Sequence, residues 1–315
     1  MMQSNFSIIQ YTNEHKAIWD QIVNESKNGN FLHLRDYIGY HSHRFEEQSI
    51  IILKQGRPVA IFPCNRVNET IVSHSGITYG GLIYQKTFHA YDILELFKKL
   101  SIYYQEIGST KILYKAIPHI FHTYPAEEDL YALFRMNASI YRRDLSSVIS
   151  LKDRIKFSDS RKCSIRKSEK QGVEFREGVF FNEYHKLLTQ VIAKFGSEPI
   201  HSIQELEFLK TKFPEKIRLF GAFYENQLLA GTIVYDFGHI VHTQYMASSN
   251  EGKKIGALDF ILGSLIEKTF TNRSYMSFGI STEQQGEYLN EGLIFQKEGF
   301  GARGVVHDFY EWDLI

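Results

Sequence analysis

The chain has 315 residues, 43% hydrophobic and 23% charged, with 36 Lys plus Arg balanced by 36 Asp plus Glu. That length allows two ordinary domains or one large one, and the composition excludes wholesale disorder and collagen-like or low-complexity architectures. The balanced charge supplies no field that draws the chain to a polyanion, so no DNA partner is expected.

Cys64 and Cys163 lie far apart, and neither has a second Cys or a His near it at metal-ligand spacing. A disulfide framework, a redox pair and a structural zinc site are therefore not expected, and no metal is predicted. The opening Met1-Met2-Gln3-Ser4-Asn5 has no charged region followed by an apolar one, and no run is long and apolar enough for a membrane span. A soluble, cytoplasmic protein is the expectation.

Along the first half, residues 49–64 form two β-branched runs around Lys54-Gln55-Gly56, a hairpin signature. A third strand is expected near 70–76. It leads into Ser73–Gly81, where three glycines permit close backbone approach and His74 and Tyr79 bring an imidazole and a phenol, a suitable lining for a polar substrate. An ordinary surface loop is the alternative. Ile93, Leu96, Phe97, Leu100, Tyr104 and Ile107 recur at helical spacing, and Ile112-Leu113-Tyr114 reads as strand. Residues 141–176 then carry eleven basic against five acidic side chains, read either as a solvated helix face or as a surface that meets phosphates.

The second half repeats the plan. Ser202 with Glu205 forms a capping box, Ile217–Tyr224 and Leu228–Tyr235 flank a Glu225-Asn226-Gln227 turn, and a third strand is expected at 240–247. The next turn, Gly252-Lys253-Lys254-Ile255-Gly256-Ala257, precedes a helix marked by Ile255, Leu258, Ile261, Leu262, Leu265 and Ile266. A helix start of this kind suits an anion such as a pyrophosphate, with Lys253, Lys254, Gly256 and Ala257 as the binding residues. A plain glycine turn with solvent-facing lysines is the alternative. After a strand at Tyr275–Phe278, Ser281-Thr282-Glu283 gathers polar groups at a strand's end, with Glu283 the candidate proton acceptor and Ser281 alternatively the N-cap of a helix with Gln284 three residues on. Gly299, Gly301 and Gly304 match a dinucleotide fingerprint only formally, because the residues after them alternate as a strand does.

The near-constant offset between the halves argues for two copies of a β-β-β-α-β unit; two unrelated α+β domains that share an element order are the alternative. With Ser281-Thr282-Glu283, the stretch Asn290–Arg303 and the basic Arg161–Gly172 segment, nearly the whole chain resembles a double GCN5-related N-acetyltransferase (GNAT) fold. Within that superfamily it is similar to the Fem-type peptidoglycan-bridge aminoacyltransferases and related single-chain bacterial N-acetyltransferases. The resemblance implies an α+β or α/β architecture of two tandem lobes, 1–145 on the acceptor side and 146–315 on the donor side, each a mixed, mostly antiparallel sheet flanked by helices.

The same resemblance implies transfer of an acyl group, acetyl-CoA being the leading donor, to a small-molecule amine or amino-sugar acceptor, for instance in envelope glycan synthesis. Lys253, Lys254, Gly256 and Ala257 would hold the coenzyme pyrophosphate and Glu283 would be the base. His74, Tyr79, Ser281, Lys297 and Arg303 would serve the substrate, the last two gripping a phosphate if the acceptor is a nucleotide sugar. The acetyltransferase coenzyme signature is met at Lys253 and Gly256, but Leu258 stands where glycine or alanine is usual. An aminoacyl-tRNA donor is the alternative, although the charged heptads of a Fem-type arm are missing, and a catalytically silent glycan- or nucleotide-binding module is another.

Overall fold

Both expected hairpins form, and for the same local reason. The chain reverses at Gln55 and Gly56 with φ of 52° and 78°, and at Glu225 and Asn226 with φ of 47° and 62°. Two central residues in the left-handed region give the turn whose twist matches that of the flanking strands. The computed structural model describes residues 6–314. Packing divides the chain into two units, one running to Asp144 and resuming at Val306, the other Leu145–Val305.

In the first unit, Phe6–Gln10, Ile50–Lys54, Arg57–Phe62 and Ile83–Tyr84 form one antiparallel sheet in that order. Lys111–Lys115 runs parallel to Thr70–Val72 and antiparallel to the carboxyl-terminal strand, with Tyr310 opposite Tyr114 and Trp312 opposite Ile112. Helix Ala90–Glu106 buries Ile93, Leu96, Phe97, Leu100 and Tyr104, the stripe its periodicity predicted. Trp312 stacks on Phe97 at 5.3 Å, and Trp312 and Leu314 are both buried in this core. Burying such side chains favours the folded state by roughly 1.5–3 kcal/mol each, which ties residues 306–314 to the first unit, whereas the sequence expectation placed them in the second lobe. The third strand also differs from expectation. Thr70–Val72 pairs with Asn65–Val67 and Lys111–Lys115, while Arg57–Phe62 pairs with Ile83–Tyr84 instead.

The second unit keeps the repeated plan intact. Glu174–Gly178, Ile217–Tyr224, Gln227–Asp236, Ile240–Ser248 and Tyr275–Ile280 lie side by side, followed by the strand Ser139–Ser150 from Leu145 on. Every pairing is antiparallel except that of Ile240–Ser248 with Tyr275–Ile280. Near-continuous apolar runs such as Leu229–Tyr235 are buried throughout because helices cover the sheet. Helix Ala257–Ser264 packs into a core with Phe220, Met276 and Phe300, and helix Phe181–Ile192 buries Phe181, Tyr184, Leu187 and Leu188. Each unit is thus a mixed, mostly antiparallel assembly flanked by helices. Among the described residues, no helix is long and apolar enough to cross a membrane, and no cluster of three or more His, Cys, Asp or Glu is placed to hold a metal ion.

Candidate active site in the second unit

The parallel strands Ile240–Ser248 and Tyr275–Ile280 are in register only from Ile240 opposite Tyr275 to His242 opposite Ser277. Both strands then continue without pairing to each other. Each carries an irregularity at the parting. On the first, Tyr245 faces Ile233 and Thr243 faces Val234 of the neighbouring strand, which leaves Gln244 as a bulge. On the second, Gly279 adopts φ 73° as the register against Ser139–Ser150 shifts between Ser277 and Ile280. A Cβ on Gly279 would sit 3.2 Å from the His242 ring. His242 Nδ1 lies 3.1 Å from Ser277 Oγ, marking the point where the strands separate.

Met246, Ala247 and Ser248, on the part of the first strand that has parted from the second but still pairs with Gln227–Asp236, line a cleft of about 630 Å³. Gly252, Lys253 and Gly256 form one end of it, and Leu293, Phe295 and Gln296 of helix Glu291–Glu298 form another wall. Volumes of this order hold small-molecule ligands and cofactors. Arg161 and Asp259 also line the cleft, and Arg161 Nη1 donates to both Asp259 carboxylate oxygens at 2.7 and 2.9 Å. This pair clamps helix Asp159–Lys170 to helix Ala257–Ser264.

The two glycines of the cleft end have packing reasons to be glycine. A Cβ on Gly252 would lie 2.4 Å from the Leu229 carbonyl oxygen, and one on Gly256, at φ 81°, would lie 2.6 Å from that of Ser164. Ser249 caps the short helix Asn250–Ile255 by accepting from the Gly252 N–H. Lys253 is exposed and borders the cleft. Lys254 is exposed beside it, its carbonyl accepting from Lys167 Nζ at 2.7 Å. The Ala257 methyl is buried in the core.

Residues 281–290 do not form the helix start that is the alternative reading of Ser281. Thr282–Glu283 pairs antiparallel with Tyr288–Leu289, and the helix begins only after Asn290, whose side-chain oxygen accepts from the Leu293 N–H at 2.9 Å. The same amide donates to Glu283 Oε1 at 2.6 Å, so the exposed Glu283 is tied to the first turn of a cleft-lining helix. Ser281 and Lys297 are brought together, both buried. Lys297 Nζ donates to Ser281 Oγ at 2.9 Å and to the carbonyls of Gly279 and Ile280 at 2.9 and 2.6 Å, and burial lowers its pKa to about 8. All three ammonium protons have acceptors, which leaves none for an acceptor phosphate. Arg303 is exposed and donates to the Ala302 carbonyl.

No family model and no curated protein matches this chain in sequence. Solved structures match it in fold. FemX aligns over 98% of this chain and 97% of its own at TM-score 0.68 and 10% identity. The L-PGS from Bacillus licheniformis aligns over 95% and 91% at 0.64 and 12%. A tandem GNAT protein from the clavulanic acid biosynthesis pathway aligns over 98% and 99% at 0.52 and 9%. The chain has a double-GNAT fold.

Within the first GNAT-like unit, the substrate candidates His74 and Tyr79 turn inward. They are 2% and 3% exposed. Burial pushes the His74 imidazole well below its ordinary pKa and the Tyr79 phenol well above its own. Lys115 organises this glycine-rich passage. Its backbone N–H donates to Ser73 Oγ at 2.6 Å and its ammonium to the carbonyls of His74 and Ile77. Glycine density signals close backbone approach, and here it is met within the unit: Gly76 lies against the His41 ring, Gly81 against the Tyr114 hydroxyl, and the N–H groups of Gly80 and Gly81 donate to the Lys115 carbonyl.

In the second GNAT-like unit, three features escaped the sequence reading: the Arg161–Asp259 clamp, the parting at His242, and a Tyr245 hydroxyl 2.6 Å from His201 Nδ1. Only Asn290 left a signal, as an N-cap type directly before Glu291 and a helical run.

Proposed function

We propose that this chain is an N-acyltransferase that moves an acyl group from a coenzyme A thioester, acetyl-CoA foremost, to the nitrogen of a small amine such as an amino sugar. The observation that carries the reading is the parting of two parallel strands beyond His242 and Ser277, with a cleft of about 630 Å³ lined by Met246–Ser248 of the first strand and by Lys253 and Gly256. An extended thioester arm laid along the edge of Ile240–Ser248 opposite its pairing with Gln227–Asp236 would meet the backbone groups that no longer pair with Tyr275–Ile280. N–H groups there would hold the carbonyl and its developing oxyanion. Lys253 and Lys254 would neutralise the coenzyme phosphates, and the Ala257 N–H, rather than its buried methyl, would face them, while the Gly256 N–H donates to the Gly252 carbonyl.

The chemistry needs no covalent enzyme intermediate. The amine nitrogen forms the new C–N bond, the C–S bond breaks, the thiolate leaves and takes up a proton, and the amine's surplus proton passes to a base, for which Glu283 is the candidate. Arg303 and the polar hairpin at Thr282–Glu283 would border the acceptor. Calorimetry with acetyl-CoA and longer acyl-CoAs tests the reading: saturable binding weakened by Lys253→Ala/Lys254→Ala is expected, and failure of every thioester to bind removes it.

A second reading, an aminoacyl-tRNA donor, is supported by the surplus of basic residues at 141–176 and by the exposed cations of helix Asp159–Lys170. It predicts tRNA binding that weakens steeply with salt.

A further inference from the structure

Helix Asp159–Lys170 presents a second face that the donor cleft does not use. Arg161 and Ser164 look onto the cleft, but Lys162, Ile165, Arg166 and Glu169 border a separate cavity of about 350 Å³. Its other wall is the segment Arg154–Phe157, with Glu267 beside it. Four cations and two carboxylates therefore surround it. Arg154 is held by Glu267 at 3.5 Å and Lys162 by Asp159 at 3.1 Å. Lys156 and Arg166 are exposed and form no ion pair among the described residues. Between these charges lies an apolar shelf: Phe157 is buried, Ile165 half-buried, and Ile155 is 47% exposed. The Arg154 guanidinium stands 5.9 Å from the Phe157 ring centre.

Uncompensated ammonium and guanidinium groups beside an apolar shelf match a ligand that is anionic at one end and flat and apolar at the other. We infer that this cavity is a mononucleotide site, with the phosphate on Lys156 and Arg166 and the base against Ile155, Phe157 and Ile165. The volume is at the lower end of ligand pockets, enough for one nucleotide. The inference goes beyond the acyl-donor reading and does not depend on it, since no residue is shared between the two cavities. The nucleotide has two sources, a free nucleotide or nucleotide-bearing coenzyme, and the terminal nucleotide of an RNA.

The test is calorimetric titration of the full chain with adenosine 3′,5′-bisphosphate and with inorganic phosphate. Saturable binding of the bisphosphate is expected, weakened about tenfold or more in Lys156→Ala/Arg166→Ala and unchanged in Lys253→Ala/Lys254→Ala. Inorganic phosphate should bind at least about tenfold more weakly, because it cannot use the shelf. The inference is overturned if the Lys156/Arg166 variant binds as the parent does, if the loss follows Lys253 and Lys254, or if inorganic phosphate binds equally well. Both substituted side chains are exposed, so the variant keeps its fold, and the unfolding midpoint checks this. Intact tRNA separates the sources. Displacement of the bisphosphate by tRNA, lost when its terminal nucleotide is removed, assigns the site to RNA, and no displacement assigns it to the free nucleotide.

Discussion

Asn290 joins Glu283 to the wall of the cleft: one end of its amide donates to the carboxylate at 2.6 Å and the other caps the helix at Leu293. The carboxylate is thereby oriented without being buried. If Glu283 accepts the amine proton, Glu283→Gln lowers the turnover of acyl transfer by about 10²–10⁴-fold, the range typical of a lost general base, with thioester affinity within about twofold of the parent. Steady-state kinetics beside calorimetry decides it, and an unchanged turnover removes Glu283 from the reaction.

The Arg161–Asp259 clamp gives a stability prediction. Asp259 is 7% exposed, and replacing it with Ala leaves the Arg161 guanidinium without its partner. A loss of about 2–4 kcal/mol is expected in urea unfolding. The double variant Arg161→Met/Asp259→Leu should recover part of this, because it strands no charge. A single-variant cost below about 0.5 kcal/mol would place this pair with weak surface salt bridges.

Two glycines at similar positive φ separate backbone strain from steric contact. Gly172 has φ 76° with open space where a Cβ would go, and Gly256 has φ 81° with a carbonyl oxygen at 2.6 Å. Gly172→Ala should cost about 1–2 kcal/mol from the left-handed backbone alone. Gly256→Ala should cost at least about twice that, since helix Asp159–Lys170 must shift to admit the methyl. Equal costs in thermal unfolding would mean that the close approach at Ser164 does not constrain the helices.

Asp129 supplies a pH dependence in the first unit. It is buried, accepts from the Tyr114 hydroxyl at 2.5 Å, and burial raises its pKa from 3.8 to about 7. Between about pH 4 and pH 7 the folded chain keeps a proton that the unfolded chain has released. This residue's contribution therefore falls as pH rises through that window, by roughly 2–4 kcal/mol at its upper end. Asp129→Asn should flatten the dependence in denaturant titrations at pH 4.5 and 7.5, and a slope identical to the parent's would assign it to other groups.

What could be read from the sequence is what neighbouring residues decide among themselves. Gln55-Gly56 and Glu225-Asn226 set the hairpin turns, the apolar stripe of Ala90–Glu106 chose its buried face, and Ser202 with Glu205 closed a capping box. Each is a contact over a few residues, and the chain's own geometry supplies the distance. The repeated order of such elements, together with Ser281-Thr282-Glu283, Asn290–Arg303 and Arg161–Gly172, carries the resemblance to a double-GNAT fold.

Tertiary structure alone decided the rest. Ser73–Gly81 carries the composition of a ligand loop, yet Lys115, more than thirty residues later in the chain, folds it inward. Ser281 has the character of an N-cap, but the pairing of Thr282–Glu283 with Tyr288–Leu289 moves the helix start to Asn290. The carboxylate that pairs with Arg161 lies 98 residues away, and the parallel strands part where register and two backbone irregularities place the break. Propensity and periodicity carry no information about which distant groups meet. Only the packing of helices on the sheet assigns those distances, and with them the charges and clefts on which chemistry depends.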